Sequence, residues 1–149
     1  MKTIIRVISS LFFILLFTSF SNQDDKTLSL TINVEKLRSS EGLVQFALYN
    51  KDGSIPDMNF KKYYKILKGN IVNNSSTITF RNIPIGKYAI NILHDENNNG
   101  KIDKGFLLPT EGIGFSNFET IGLSNRPSFS KASFDLDADK SINVTIVYM

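Results

Sequence analysis

The chain has 149 residues, a formal net charge of +3, no cysteine, no tryptophan and a single histidine. That length reads as one domain, and 42% apolar with 21% charged residues is a globular rather than a disordered composition. Without cysteine there is no disulfide, thiol nucleophile or thiolate metal site, and one histidine excludes multi-His zinc centres.

Residues 1–21 have the layout of a secretory signal peptide. Lys2 and Arg6 precede an apolar stretch over 7–17, and Ser19 and Ser21 are small residues ahead of a cut before Asn22. A retained N-terminal anchor is the other reading. The stretch is shorter than the roughly 20 apolar residues of a membrane span, and no later segment is apolar enough to be a transmembrane segment. Cleavage leaves a single domain over 22–149, with 128 residues and a formal charge of +1. The expected location is therefore outside the cytoplasm, secreted or periplasmic. Lys61, Lys62, Lys65 and Lys68 form the densest basic cluster, which reads as a solvated face, so nucleic acid is not an expected partner.

The mature chain reads as strands and turns. Residues 27–37 alternate, with Leu28, Leu30, Ile32 and Val34 on one face and Ser29, Thr31, Asn33 and Glu35 on the other. A Ser-rich turn closing at Gly42 leads into 43–49, apolar on both faces and so a central strand. Residues 51–59 are a loop. Residues 60–68 fit both a helical stripe and a strand, and the preferred reading is a helical turn followed by a strand. Residues 76–81 and 88–93 are strands flanking a Pro-Gly corner at Pro84 and Gly86, where Tyr88 is placed to bond back to upstream backbone as in a tyrosine corner. Residues 104–131 show no period but carry Phe106, Phe115, Phe118 and Phe129, which would pin a long ordered loop to the domain. Residues 132–137 and 141–148 are the last two strands. The expected fold is all-β: an Ig-like or transthyretin-like antiparallel β-sandwich of about seven strands.

One loop carries chemistry. Asp95, Asn97, Asn99 and Gly100 match the D-x-[DN]-x-[DN]-G opening of a calcium loop. Asp95, Asn97 and Asn99 would supply side-chain oxygens, Lys101 its backbone carbonyl and Asp103 the ninth position, the all-oxygen set a hard cation requires. The twelfth position is Phe106 rather than a bidentate Glu, and a strand rather than a helix precedes Asp95, so this is not an EF-hand. Few charged ligands imply a dissociation constant on the order of 10⁻⁴–10⁻³ M. An ion-free loop, in which Asn and Asp bond their own backbone, fits the same residues. His94, adjacent to the loop, reads as a structural hydrogen bonder.

The run Asn82, Ile83, Pro84, Ile85, Gly86, Lys87, Tyr88 leads into His94, Asp95 and the Asn-rich loop. Pro109, Thr110, Glu111, Gly112, Ile113, Gly114, Phe115, Ser116, Asn117 and then Pro127, Ser128, Phe129 follow in order. This ordered set resembles the bacterial domain-of-unknown-function family 2141, exported and uncharacterised, over most of the mature chain. Leu107, Leu108 and Phe118 depart from the family pattern. The resemblance implies no activity, but it implies that the Asp95 loop and the Glu111 segment belong together, with Glu111 an additional ligand. Glu111, His94, Phe115 and Asn117 are thus the candidate ligand-binding residues beside the calcium set.

Two functions follow. The first is a non-enzymatic exported binding or structural module, with calcium as its candidate cofactor and an envelope protein, peptide or glycan as partner. The alternative is a small hydrolase-type enzyme whose site lies around His94, Asp95 and Glu111.

Overall fold

The computed structural model describes residues 26–106 and 108–149. Residues 1–21, expected to be a signal peptide, lie outside the described residues. Eight strands and one short helix follow in order: β1 (Thr27–Val34), β2 (Leu43–Tyr49), β3 (Lys65–Gly69), β4 (Ser76–Pro84), β5 (Gly86–Asp95), β6 (Gly112–Phe115), α1 (Phe129–Ala132), β7 (Phe134–Leu136) and β8 (Lys140–Asn143). They form a three-stranded sheet, β4-β1-β8, and a five-stranded sheet, β3-β2-β5-β6 with β7 paired to the start of β5.

The two-residue period of β1 buries Leu28, Leu30, Ile32 and Val34. They meet Phe80 of β4, Val44, Phe46 and Leu48 of β2, and Tyr88, Ile90 and Ile92 of β5 in one core between the sheets. The other face of β2 and β5 is also covered. Ala47, Tyr49, Ala89 and Leu93 pack against Ile55, Phe60, Ile102, Phe118 and Phe129 from the loops and α1. The domain is therefore three layers: sheet, sheet, and a shell of loops. The phenylalanines Phe118 and Phe129 do pin the long segment, as their scatter in the sequence suggested, whereas Phe106 is 99% exposed.

Three expectations need correction. Among the described residues there are eight strands, because β6 lies inside the stretch without a period: four residues, two of them glycine, leave no alternation to read. The sandwich is not wholly antiparallel, since β8 runs parallel to β1 with Thr31 opposite Ser141. No hairpin constrains β8, which reaches β1 after the chain has crossed the other sheet. Residues 60–64 form no helical turn. Asp57 Oδ2 accepts from the N–H groups of Lys61 (2.7 Å) and Lys62 (2.6 Å), Phe60 alone turns into the core, and Tyr63 and Tyr64 stay exposed. The corner is formed as expected, with the Tyr88 hydroxyl donating to Pro84 O at 3.0 Å.

The C-terminal segment joins the sheets. Past β8, Val144 still pairs with β1 through Asn33 O (2.9 Å), and Val147 then exchanges both backbone hydrogen bonds with Ile113 of β6 (3.0 and 2.8 Å). The inner face of β6 is glycine because this segment lies flat on it. A Cβ at Gly114 would sit 2.6 Å from Thr145 O.

Candidate functional site

The Asp95 loop leaves the end of β5 at one end of the sandwich. Asn98 (φ 60) and Gly100 (φ 75) take left-handed conformations, which Asn and Gly tolerate best, and so curl the backbone back toward Asp95. The fully buried Asp95 carboxylate accepts from Asn99 N (3.0 Å) and Gly100 N (2.9 Å). Asn97 Oδ1 accepts from Asn99 N (3.1 Å), and Asn99 Oδ1 from Lys101 N (3.0 Å). Both Asn side chains then turn their NH2 groups to one oxygen of Asp103, each at 2.6 Å. Gln45 Nε2, on the neighbouring strand, donates to Gly100 O (3.4 Å).

Glu111 closes the loop from outside it. Its two carboxylate oxygens accept from Glu96 N (3.1 Å) and Asp103 N (3.2 Å), so one side chain ties both shoulders of the loop together. The segment between is folded back on itself, with Thr110 N bonded to Asp103 O (3.0 Å) and Gly105 N to Leu108 O (2.9 Å), which delivers Glu111 to this position. Burial pushes the Glu111 carboxyl above its usual range, and the charges of Asp103 and Asp95 push it further. The two backbone N–H groups act against that rise. Glu96 points elsewhere: Arg38 binds it and Ser39 donates to it, and the Arg38 hydrogen bond holds it below the usual range.

His94 does not join this group. On β5 it is one residue from Asp95 and so projects from the opposite face of the sheet. It is fully buried, with Nδ1 2.7 Å from the Tyr148 hydroxyl and Nε2 3.0 Å from Glu41 O. A carbonyl only accepts, so in the neutral ring Nε2 carries the proton and Nδ1 accepts from Tyr148. The proposed convergence of His94 with Asp95 and Glu111 is therefore not formed. Asn117 also lies apart: its Nδ2 donates to Ser133 O (2.9 Å) and contacts Ala132 O and Lys131 O at the end of α1. Phe115 lies in the outer core, edge-on to Phe118 at 6.1 Å.

The residues around Glu111 are an all-oxygen donor set suited to a hard cation. Among the described residues, no three His, Cys, Asp or Glu side chains converge as a ready-made metal centre. A cation would have to take over the Asp103 oxygen that now accepts from Asn97 and Asn99, with the two amides turning their oxygens inward.

Arg38, Ser39, Gln45 and Glu96 were not legible as site residues. The signal that finds them is strand register. Leu43 pairs with Asp95, so the turn before β2 lies beside the residues after β5. Gly42 (φ +69) is where the two touch, since a Cβ there would meet Asp95 O at 2.0 Å.

A family model described as "Uncharacterized protein conserved in bacteria (DUF2141)" matches residues 32–145. The chain belongs to DUF2141. The DUF2141 match begins within β1 and ends just past β8, so it takes in Asp95, Asp103 and Glu111. Tyr148 lies beyond it. No curated protein and no solved structure matches the chain. No helix among the described residues is long and apolar enough to cross a membrane.

Proposed function

We propose that this DUF2141 protein is an exported, non-catalytic β-sandwich module in which the Asp95 loop is a weak calcium site that stiffens one end of the domain. A stiffened loop on a rigid sheet scaffold is suited to contacting another envelope protein, a peptide or a glycan. Export rests on the residue pattern of 1–21. The Tyr88 back-bond supports placing the fold with the Ig-like sandwiches.

The observation that carries the calcium reading is Glu111. It lies near enough to Asp95 and Asp103 for their charges to raise its carboxyl, although the three do not converge on one point, and among the described residues no Lys or Arg side chain pairs with any of them. Like charges gathered at a largely buried site repel one another, and a divalent cation relieves that repulsion.

The test is a CaCl2 titration of the mature protein followed through the backbone amide resonances of 95–104, with MgCl2 as the control. Saturable shifts confined to the loop, with a midpoint on the order of 10⁻⁴–10⁻³ M and absent in Asp103→Ala, support the reading. Amides that do not move with calcium, or that move equally with magnesium, overturn it.

A further inference from the structure

We propose that a cleft on the outer face of the five-stranded sheet, independent of the calcium loop, binds a small amphipathic anion: an apolar tail carrying a carboxylate head. The cleft encloses about 490 Å³, within the range of about 300–1,000 Å³ typical of small-molecule sites.

Its floor is β6. Gly112 and Gly114 face the C-terminal segment, so Ile113 and Phe115 necessarily face the other way, into the cleft. Met58 and Ile121 line its walls, and Met149 is a third, exposed side. Met58, Ile121 and Met149 present hydrocarbon or thioether surface, whereas Ile113 and Phe115 are buried beneath it, 5% and 4% exposed. Methionines adapt to ligands of irregular shape.

Two charged side chains line the cleft, and both are positive. Lys104 and Arg126 line the cleft, and no acidic side chain does. Both are exposed, and among the described residues neither side chain makes an ion pair or a hydrogen bond, whereas Arg38 and Lys87 are each paired with a carboxylate. Two cations without an ion-pair partner among the described residues, beside a mainly apolar surface, match a ligand that is anionic at one end and apolar along its length. The segments bearing these cations also hold their own apolar side chains in water: Phe106 is 99% exposed, Leu123 87% and Leu108 54%. Isolated exposed apolar residues are common, and these three lie within a few residues of Lys104 or Arg126 in the sequence.

The test uses octanoate and 1-octanol, which share a tail and differ in charge, against the full mature chain. Binding is read from the methyl resonances of Met58, Ile113, Ile121 and Met149. The proposal expects octanoate to shift these methyls saturably and to bind about fivefold to tenfold more tightly than octanol, the effect of two exposed cations on one anion. Lys104→Glu combined with Arg126→Glu changes only exposed side chains. That variant should bind octanol unchanged and lose the preference for octanoate. Equal affinity for both probes, shifts centred on methyls elsewhere, or no saturable shift each overturn the proposal. None of these outcomes depends on calcium, so the test stays separate from that of the loop.

Discussion

The Tyr148 hydroxyl, 2.7 Å from His94 Nδ1, anchors the C-terminal segment to the end of β5. It also accepts from Arg38 N (3.1 Å), and the Arg38 guanidinium stacks over its ring at 4.6 Å. Three parts of the chain, the turn before β2, the end of β5 and the C-terminal segment, therefore meet at one oxygen. Tyr148→Phe should leave the buried His94 Nδ1 without a partner and cost about 1–3 kcal/mol, measured by urea unfolding, while the amide spectrum outside these three segments stays unchanged. A cost below a few tenths of a kcal/mol would show that the contact is dispensable.

Gly114 tests the same seam from the other side. With Thr145 O 2.6 Å from where its Cβ would lie, Gly114→Ala must push the backbone of the C-terminal segment away. Overpacking of this kind costs about 1–3 kcal/mol. The amide of Val147, bonded to Ile113 O, should lose hydrogen-exchange protection before those of β2 and β5 do.

How far the fold could be read in advance follows from local pattern. β1 and β2 were legible because alternation and a doubly apolar run are themselves the burial patterns of a strand covered on one face and of a strand covered on both. The Tyr88 corner was legible from residue order, and the pairing of Glu111 with the Asp95 loop from the family resemblance. β6 was not, because Gly112 and Gly114 owe their identity to Ile146, Tyr148 and Thr145, which lie more than thirty residues on. The parallel register of β8 and the grouping of Arg38 with Glu96 likewise depend on which strands become neighbours, a property of the whole fold. The placing of His94 with Asp95 was a question of strand parity: adjacent residues on one strand face opposite layers.

Asn91 offers a prediction of opposite sign. It is fully buried on the outer face of β5, and among the described residues neither its Nδ2 nor its Oδ1 makes a hydrogen bond of normal geometry. The Tyr49 hydroxyl beside it donates to Asp57 Oδ2 (3.2 Å), and the Asn91 amide acts weakly on that hydroxyl. Burial raises the ionisation of Tyr49 far above the normal phenol range, and the Asp57 charge adds to it. A buried amide with no partner carries its full desolvation cost. Asn91→Val, with a side chain suited to a strand, should therefore stabilise the protein by about 1 kcal/mol and raise its melting temperature by several degrees. A lower melting temperature would mean that the amide is satisfied by an internal water.

The two glutamates at the loop should titrate in opposite directions. In calcium-free buffer the Glu96 carboxyl should titrate below its ordinary 4.5, held there by Arg38, and Glu111 above 4.5, raised by burial and by Asp103 and Asp95. Linkage fixes the consequence. The stability contributed by Glu96 is present above 4.5 and is lost as pH falls through its lowered value. That contributed by Glu111 is present below 4.5 and declines as pH rises through its raised value. Side-chain carboxyl resonances followed by pH titration distinguish the two. Adding calcium should lower the Glu111 midpoint and leave that of Glu96 unmoved.

Thermal unfolding of residues 22–149 at pH 7, with and without 10 mM CaCl2, tests the proposed calcium site most directly. For a dissociation constant of about 1 mM, binding to the folded state alone contributes about 1.4 kcal/mol, or roughly 4–8 °C in melting temperature for a domain of this size. The account predicts that rise in the unmutated protein and its disappearance in Asp95→Ala. An unmutated protein whose melting temperature does not change with calcium would contradict it.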